Sequence, residues 1–123
     1  MCGGRAYDDA TVVASVLGRE MQAGDVLVHG GASGADRLCE MFWQLLDGRT
    51  EAHPADWNRW GRYAGPRRNK AMVERGADLC IAFPGGRGTA DTVRRCRAAG
   101  IPVKEIPRGE DGPSAVPVQP EGL

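Results

Sequence analysis

Three glycine-rich stretches hold the residues of this sequence best suited to bind a ligand: CGGR at 2–5, HGGASGAD at 29–36 and PGGRGT at 84–89. Glycine allows tight turns and close approach of the backbone to a ligand, and the free amides at a helix N-terminus bind anions without any side chain. A phosphate-bearing small molecule, a nucleotide above all, is therefore the predicted ligand. The predicted ligand-binding residues of these stretches are Gly3, Gly4, Arg5, Gly30, Gly31, Ser33, Gly34, Asp36, Gly85, Gly86, Gly88 and Thr89. Arg68, in the arginine-rich segment 53–69, is a further predicted ligand-binding residue, since a guanidinium could hold phosphate.

Each of these turns also has a purely structural interpretation. A tight connection from strand to helix uses glycine for its geometry alone, and the carboxylates of Asp36 and Asp91 would stabilise a helix start without touching a ligand. No Gly-Lys-Ser/Thr follows any of the turns, and none has the GxGxxG spacing of dinucleotide-binding folds. ATP hydrolysis by a Walker loop and standard NAD-linked hydride transfer are therefore disfavoured.

An alternation of strands and helices positions these turns. Strands are predicted at 25–29, 49–52, 78–83 and 101–106, and helices from about 9 to 24, 35 to 47, 66 to 75 and 88 to 99, with a long irregular segment at 53–69. This rhythm predicts an α/β fold, a single Rossmann-like domain in which helices flank a parallel sheet. The turns after the strands would then meet at one edge of the sheet, where such folds bind ligands.

The predicted first strand is too short. Only Met1 and Cys2 precede the first glycine turn, fewer residues than an ordinary strand contains. Either the chain starts upstream of this methionine, or the sheet lacks most of a strand near its centre. The domain is predicted to cover residues 1–106, and the Pro- and Gly-rich residues 107–123 are predicted to form a flexible tail.

Composition narrows the classes of partner. Sixteen basic and sixteen acidic side chains cancel, so the overall charge argues against nucleic acid and against an anionic membrane. No apolar run reaches the roughly 18 residues of a membrane helix. The four cysteines have no metal-binding spacing, which predicts reduced thiols in a cytoplasmic protein with no metal and no cofactor.

The motifs together resemble those of a known superfamily. PGGRGT, preceded by GPRRNKAMVERGADLCIAF at 65–83, resembles the signature of the Lonely Guy phosphoribohydrolases, and HGGASGADRL at 29–38 is similar to the glycine turn of the DprA family. With CGGRAYDD at 2–9, the set resembles the YspA-like, cpYpsA-related branch of the SLOG superfamily over residues 1–103. The resemblance implies a Rossmann-like fold that binds nucleotides or nucleotide-derived ligands.

The resemblance to Lonely Guy enzymes also implies a possible reaction, cleavage of the N-glycosidic bond of a nucleoside 5′-monophosphate by an arginine and a glutamate. Arg68 matches the arginine, whereas Thr92 stands where the family has glutamate. Asp91, one residue earlier and one methylene shorter, is the candidate replacement, which makes Arg68 and Asp91 the candidate catalytic pair. A binding module that senses or sequesters its ligand is the first hypothesis, the hydrolase is the second, and DprA-like binding of single-stranded DNA is the third.

Two further features leave alternatives open. The irregular segment 53–69 concentrates aromatic and arginine side chains, which could stack a base and hold phosphate, or could plug the end of the sheet and face solvent. Phe42 and Trp43, on an apolar helix, hint at a homo-oligomer.

Overall fold

Helices and short parallel strands make up the part of the chain that the computed structural model describes, residues 1–108. The elements in chain order are α1 (Ala10–Glu20), β1 (Val26–His29), α2 (Ala35–Leu45), β2 (Arg49–Ala52), α3 (Trp57–Trp60), a 3-10 turn (Gly61–Tyr63), α4 (Ala64–Arg75), β3 (Cys80–Ala82), α5 (Arg87–Ala98) and β4 (Val103–Glu105). The predicted α/β class is confirmed. Most of the predicted tail, residues 109–123, lies outside the described residues.

The strands form two parallel pairs. β1 pairs with β2, with Val26 opposite Arg49, and β3 pairs with β4, with Cys80 opposite Val103. Parallel pairing is therefore confirmed, whereas a single Rossmann-like sheet is not, because each sheet contains only two strands.

Met1 and Cys2 lie between the two pairs. The Cys2 amide donates to the Ile81 carbonyl at 2.9 Å, and the Cys2 carbonyl accepts from the Phe83 amide at 2.9 Å, which makes a parallel bridge with Ala82. On the other side, the Met1 nitrogen donates to the Val28 carbonyl at 2.8 Å. These two residues thus occupy the place where the sequence predicts a truncated first strand.

The apolar core fixes the helices that carry the glycine turns. The larger buried cluster comprises Val13, Val16, Leu17, Leu27, Ala35, Cys39, Trp43, Ile81 and Phe83, and the smaller one comprises Cys2, Cys80, Ala82, Val93, Cys96 and Ile101. Burial of this apolar surface holds α2 against β1 and α5 against β3. Each of these helices follows its strand in the chain through a glycine turn. All four cysteines are buried and free of disulfides. Within residues 1–108, no helix combines the length and apolar composition needed to cross a bilayer.

The segment predicted to be irregular, 53–69, is largely helical. Asp56 caps α3 by accepting from the Arg59 amide at 3.1 Å, and the left-handed Gly61 (φ 54°) ends that short helix. Since Pro66 stands in the first turn of α4, where its missing N–H has no helical partner to lose, α4 begins at Ala64 and includes it. The helix start is therefore two residues earlier than predicted, and α3 was missed altogether.

Candidate functional site

A cavity of about 870 Å³ lies where the N-terminal glycine turn, the turn after β1, α4 and the start of α5 meet. Predicted site residues that line it are Gly3, Gly4, Arg5, Gly30, Asp36, Arg68, Gly86, Gly88, Thr89 and Asp91. The remaining predicted residues, Gly31, Ser33, Gly34 and Gly85, are not part of this lining. The structure thus brings the turns after β1 and β3 to one cavity, as the sequence predicts.

The N-terminus of α5 offers free amide groups to this cavity. Its N-cap, Gly86, has no side chain to bond the first turn, and that turn contains no acidic residue. Within residues 1–108, the Gly86, Arg87 and Gly88 amides have no hydrogen-bond acceptor. Unpaired amides at the positive end of a helix dipole bind anions.

The turn after β1 is arranged differently, because the amides of Gly30, Gly31 and Ala32 already have partners. The Asp36 carboxylate, only 5% exposed, accepts from the Gly30 amide at 3.0 Å and from the Ala32 amide at 3.2 Å. The Gly31 amide donates to His29 Nδ1 at 3.0 Å. This turn forms a side of the cavity through Gly30 and Ala32, and α5 supplies the free donors.

Two of the predicted glycines serve the packing of one turn against another. Gly34 has a φ of 74°, and a Cβ there would overlap the Gly4 carbonyl oxygen. A Cβ on Gly85 would overlap the Thr89 hydroxyl and the Gly4 amide. Only glycine allows the three turns to approach this closely.

Arg68 and Asn69, adjacent on α4, connect the two sides of the cavity. Arg68 donates from Nη1 to the Gly30 carbonyl at 2.5 Å and from Nε to Asn69 Oδ1 at 2.8 Å. Burial, with a smaller effect from nearby Arg5, lowers the pKa of Arg68, against which Asp36 acts in the opposite direction. The buried Asn69 donates to the Gly88 carbonyl at 3.4 Å, so one turn of α4 contacts both strand-to-helix turns.

Asp91, the candidate catalytic carboxylate, is held by several donors. It accepts from Asn69 Nδ2 at 3.0 Å and from Arg95 Nε at 2.8 Å, and it also pairs with Arg94. Burial alone would raise the pKa of Asp91, but the bonds from Asn69 and Arg95 hold it below its usual value. The Asp91 carboxylate is therefore ionised, and protein donors already occupy its oxygens. Thr92 stands at the position of the glutamate in the Lonely Guy motif, and its hydroxyl donates to the Gly88 carbonyl at 3.1 Å.

The cavity lining carries an excess of positive charge in a chain whose net charge is zero. Its charged side chains are five arginines and two aspartates, Arg5, Arg62, Arg68, Arg87, Arg94, Asp36 and Asp91. Both carboxylates already accept hydrogen bonds from protein donors. The unbalanced guanidiniums make the cavity attractive to an anion.

Trp57 is the largest aromatic side chain of the lining, and it is absent from the site predicted by sequence. Its side chain is 47% exposed, and the Arg5 guanidinium carbon lies 5.0 Å from its ring centroid. A partly exposed indole beside a guanidinium can stack a planar ring. The sequence signal that could have assigned Trp57 to the site is Asp56 directly before it, an N-cap residue that starts a short helix at the cavity.

Sequence reasoning also missed other lining residues. They include Asn69, Met72, Arg87 and Arg94, whereas Arg62 belongs to the segment 53–69, whose arginines the sequence leaves as alternative phosphate ligands. Among the described residues, no group of three or more His, Cys, Asp or Glu side chains is placed to hold a metal ion.

Comparisons with known proteins agree with the motifs. The model of the YspA, cpYpsA-related SLOG family matches residues 1–60. The Gene 61 protein of Mycobacterium phage D29 is 42% identical over 111 residues, a stretch that covers 82% of this chain and 89% of the phage protein. No solved structure gives a significant match.

Proposed function

The chain belongs to the YspA, cpYpsA-related SLOG family, and from this premise we propose that it binds a nucleotide or nucleotide-derived ligand in the cavity at the start of α5. The observation that carries the proposal is the set of free amides at Gly86–Gly88 in a cavity whose lining has more guanidiniums than carboxylates. Such amides and arginines are the usual protein partners of a phosphate group. We extend the proposal to the fold, as a Rossmann-like domain in which Met1 and Cys2 lie at the position of a central strand between the two strand pairs.

The phosphate is assigned to the N-terminus of α5. There the helix dipole and the amides act together, the Thr89 hydroxyl lies in the same turn, and Arg87 can add a charged donor. In the turn after β1, the cavity-lining residues Gly30 and Ala32 cannot offer equivalent amides, since Asp36 already accepts from both. We assign this turn to the wall of the cavity that faces the start of α5.

The base is assigned to Trp57. The indole lies in the same cavity as the free amides, and its partial exposure allows contact with a planar ring. A cavity of about 870 Å³ is within the size range of pockets that hold cofactor-sized ligands. We therefore expect a ligand with both a phosphate and a base, used for sensing or sequestering.

The test is a ligand screen with the purified protein. Thermal-shift measurements and isothermal titration with AMP, ADP-ribose, NAD and cyclic dinucleotides should give at least one saturable binder, and inorganic phosphate should compete with it. The variants Arg87→Ala and Trp57→Leu should each weaken that binding. If no ligand of this panel binds at millimolar concentration, the proposal is wrong.

Hydrolysis of a nucleoside 5′-monophosphate is the second candidate, and it is favoured by the presence of Arg68 and Asp91 in the same cavity. Against it, Arg68 donates to Gly30 and Asn69, and Asp91 accepts from charged donors, which lowers its basicity. Chromatography of the products after incubation with AMP distinguishes the two functions. Release of free base that Asp91→Asn abolishes would establish the hydrolase, whereas intact AMP would leave binding alone.

A further inference from the structure

The outer face of α2 exposes an apolar stripe that no part of the described chain covers. Met41 is 54% exposed and Leu45 is 81% exposed, and Leu46, directly after the helix, is 56% exposed. The half-buried Leu38 extends the stripe toward the start of the helix. The opposite face of α2 packs into the core, so this stripe is a second apolar face. Clustered apolar side chains of this kind on a small protein mark an interaction surface.

The charges on α2 identify the partner that fits. Arg37 is exposed near the start of the helix and lies on the same side as Met41, whereas the last turn contains no basic residue and is followed by Asp47. The helix C-terminus carries the negative end of the dipole, which a cation near it would stabilise. The helix therefore has a cation near one end of its exposed face and an unbalanced negative end at the other.

A second copy of this chain, packed antiparallel, satisfies both features. Arg37 and Leu45 lie four residues on either side of Met41, about 6 Å along the axis in each direction. An antiparallel pair of α2 helices that crosses at Met41 thus places each Arg37 beside the partner's last turn. We propose that the protein forms a two-fold symmetric homodimer through α2, with Leu38, Met41 and Leu45 at its centre.

The arrangement is isologous, because each copy contributes the same residues and each charge contact is made twice. None of Arg37, Met41 and Leu45 lines the ligand cavity. Dimer formation and ligand binding can therefore be tested separately.

The first test measures the oligomeric state of the full chain. Sedimentation equilibrium and light scattering over a concentration series should show a reversible dimer. Leu45→Glu should weaken dimerisation about tenfold or more, while circular dichroism stays unchanged because the side chain is exposed. The Tm should fall by only a few degrees, because the new carboxylate lies at the negative end of the helix dipole. Thr11→Glu, which adds the same charge to the exposed surface of α1, is the matched control and should leave the dimer intact.

The second test examines the antiparallel register. Arg37→Glu should weaken the dimer, and Leu45→Lys should also weaken it because the new lysine would face the partner's Arg37. The double variant should regain most of the lost affinity, since each Glu at 37 would then face a Lys at 45 of the other copy. Positions 37 and 45 are about 12 Å apart in one helix, so they cannot pair within a chain. A monomeric wild type, a dimer indifferent to Leu45→Glu, or a double variant weaker than both single variants would each overturn the proposal.

Discussion

Replacing Gly86 by aspartate should stabilise the protein and weaken ligand binding, because the same α5 amides would bind the new carboxylate instead of the phosphate. Gly86 is the N-cap of α5, and a Cβ there would meet no atom within 4 Å. Its φ of −104° is one that L-residues adopt, and its ψ of −139° must turn by roughly 40° to reach the extended region of an aspartate N-cap. The aspartate could accept from the Gly88 or Thr89 amide, as Asp9 accepts from the Val12 amide at 3.1 Å at the start of α1.

The expected gain in stability has two sources. An N-cap aspartate is a few tenths of a kcal/mol better than glycine, and a carboxylate at the positive end of the dipole adds about 0.3–1 kcal/mol. Together they give about 0.5–1 kcal/mol, or a rise in Tm of about 2–8 °C for a domain of this size. Urea unfolding and differential scanning calorimetry measure this gain.

Ligand affinity should change in the opposite direction. The new carboxylate would occupy the amides assigned to the phosphate and repel its charge, so isothermal titration should show at least a tenfold loss of affinity for whichever nucleotide the wild type binds. Gly86→Asn fills the same amides without charge and should have a smaller effect. Gly18→Asp, on the exposed side of α1, changes the net charge equally and should leave binding unchanged.

Two results would refute this reasoning. A stabilised Gly86→Asp variant that binds the ligand as tightly as the wild type would show that the phosphate lies elsewhere. A variant with no gain in stability would show that the α5 amides have partners already.

The remaining predictions concern the surroundings of the cavity. Asp36→Ala removes the buried oxygen that accepts from two amides and should lower the free energy of unfolding by about 2 kcal/mol, measured in urea. The bond from Arg75 holds the pKa of Glu51 at about 2 instead of 4.5, so this pair stabilises the fold above pH 4.5 and the contribution is lost as the pH falls toward 2. Glu51→Gln should therefore reduce the loss of stability between those pH values in unfolding curves recorded as a function of pH. Trp57→Leu should weaken nucleotide binding about tenfold with little change in Tm, whereas Trp60→Leu, outside the cavity lining, should leave binding unchanged in the same titration.

Local signals in the sequence predicted the elements that carry the site. Asp9 before an apolar periodicity marks the start of α1, and the apolar run before Gly85 marks β3 and the turn into α5. Both signals depend on residues close together in the chain. The convergence of the turns at one cavity followed from the rule for parallel strands, without any knowledge of side-chain contacts.

The sequence could not predict which acceptor each hydrogen-bond donor of the site binds. Whether the Gly30 amide faces a ligand or the Asp36 carboxylate depends on a side-chain rotamer, and the Arg68 bond to the Gly30 carbonyl joins residues 38 positions apart. Trp57 was ambiguous for a similar reason, because an indole is equally suited to a core and to a cavity rim. Tertiary packing decides each of these cases.

The contacts of Arg68 and Asn69 also bear on how ligand selectivity could be altered. Since these neighbours hold the carbonyls of Gly30 and Gly88, a single stretch of α4 sets the width of the opening between two loops that are distant in sequence. We therefore expect that grafting this stretch from a relative would change the spacing of the two loops, and with it the size of the proposed ligand, without redesign of either loop.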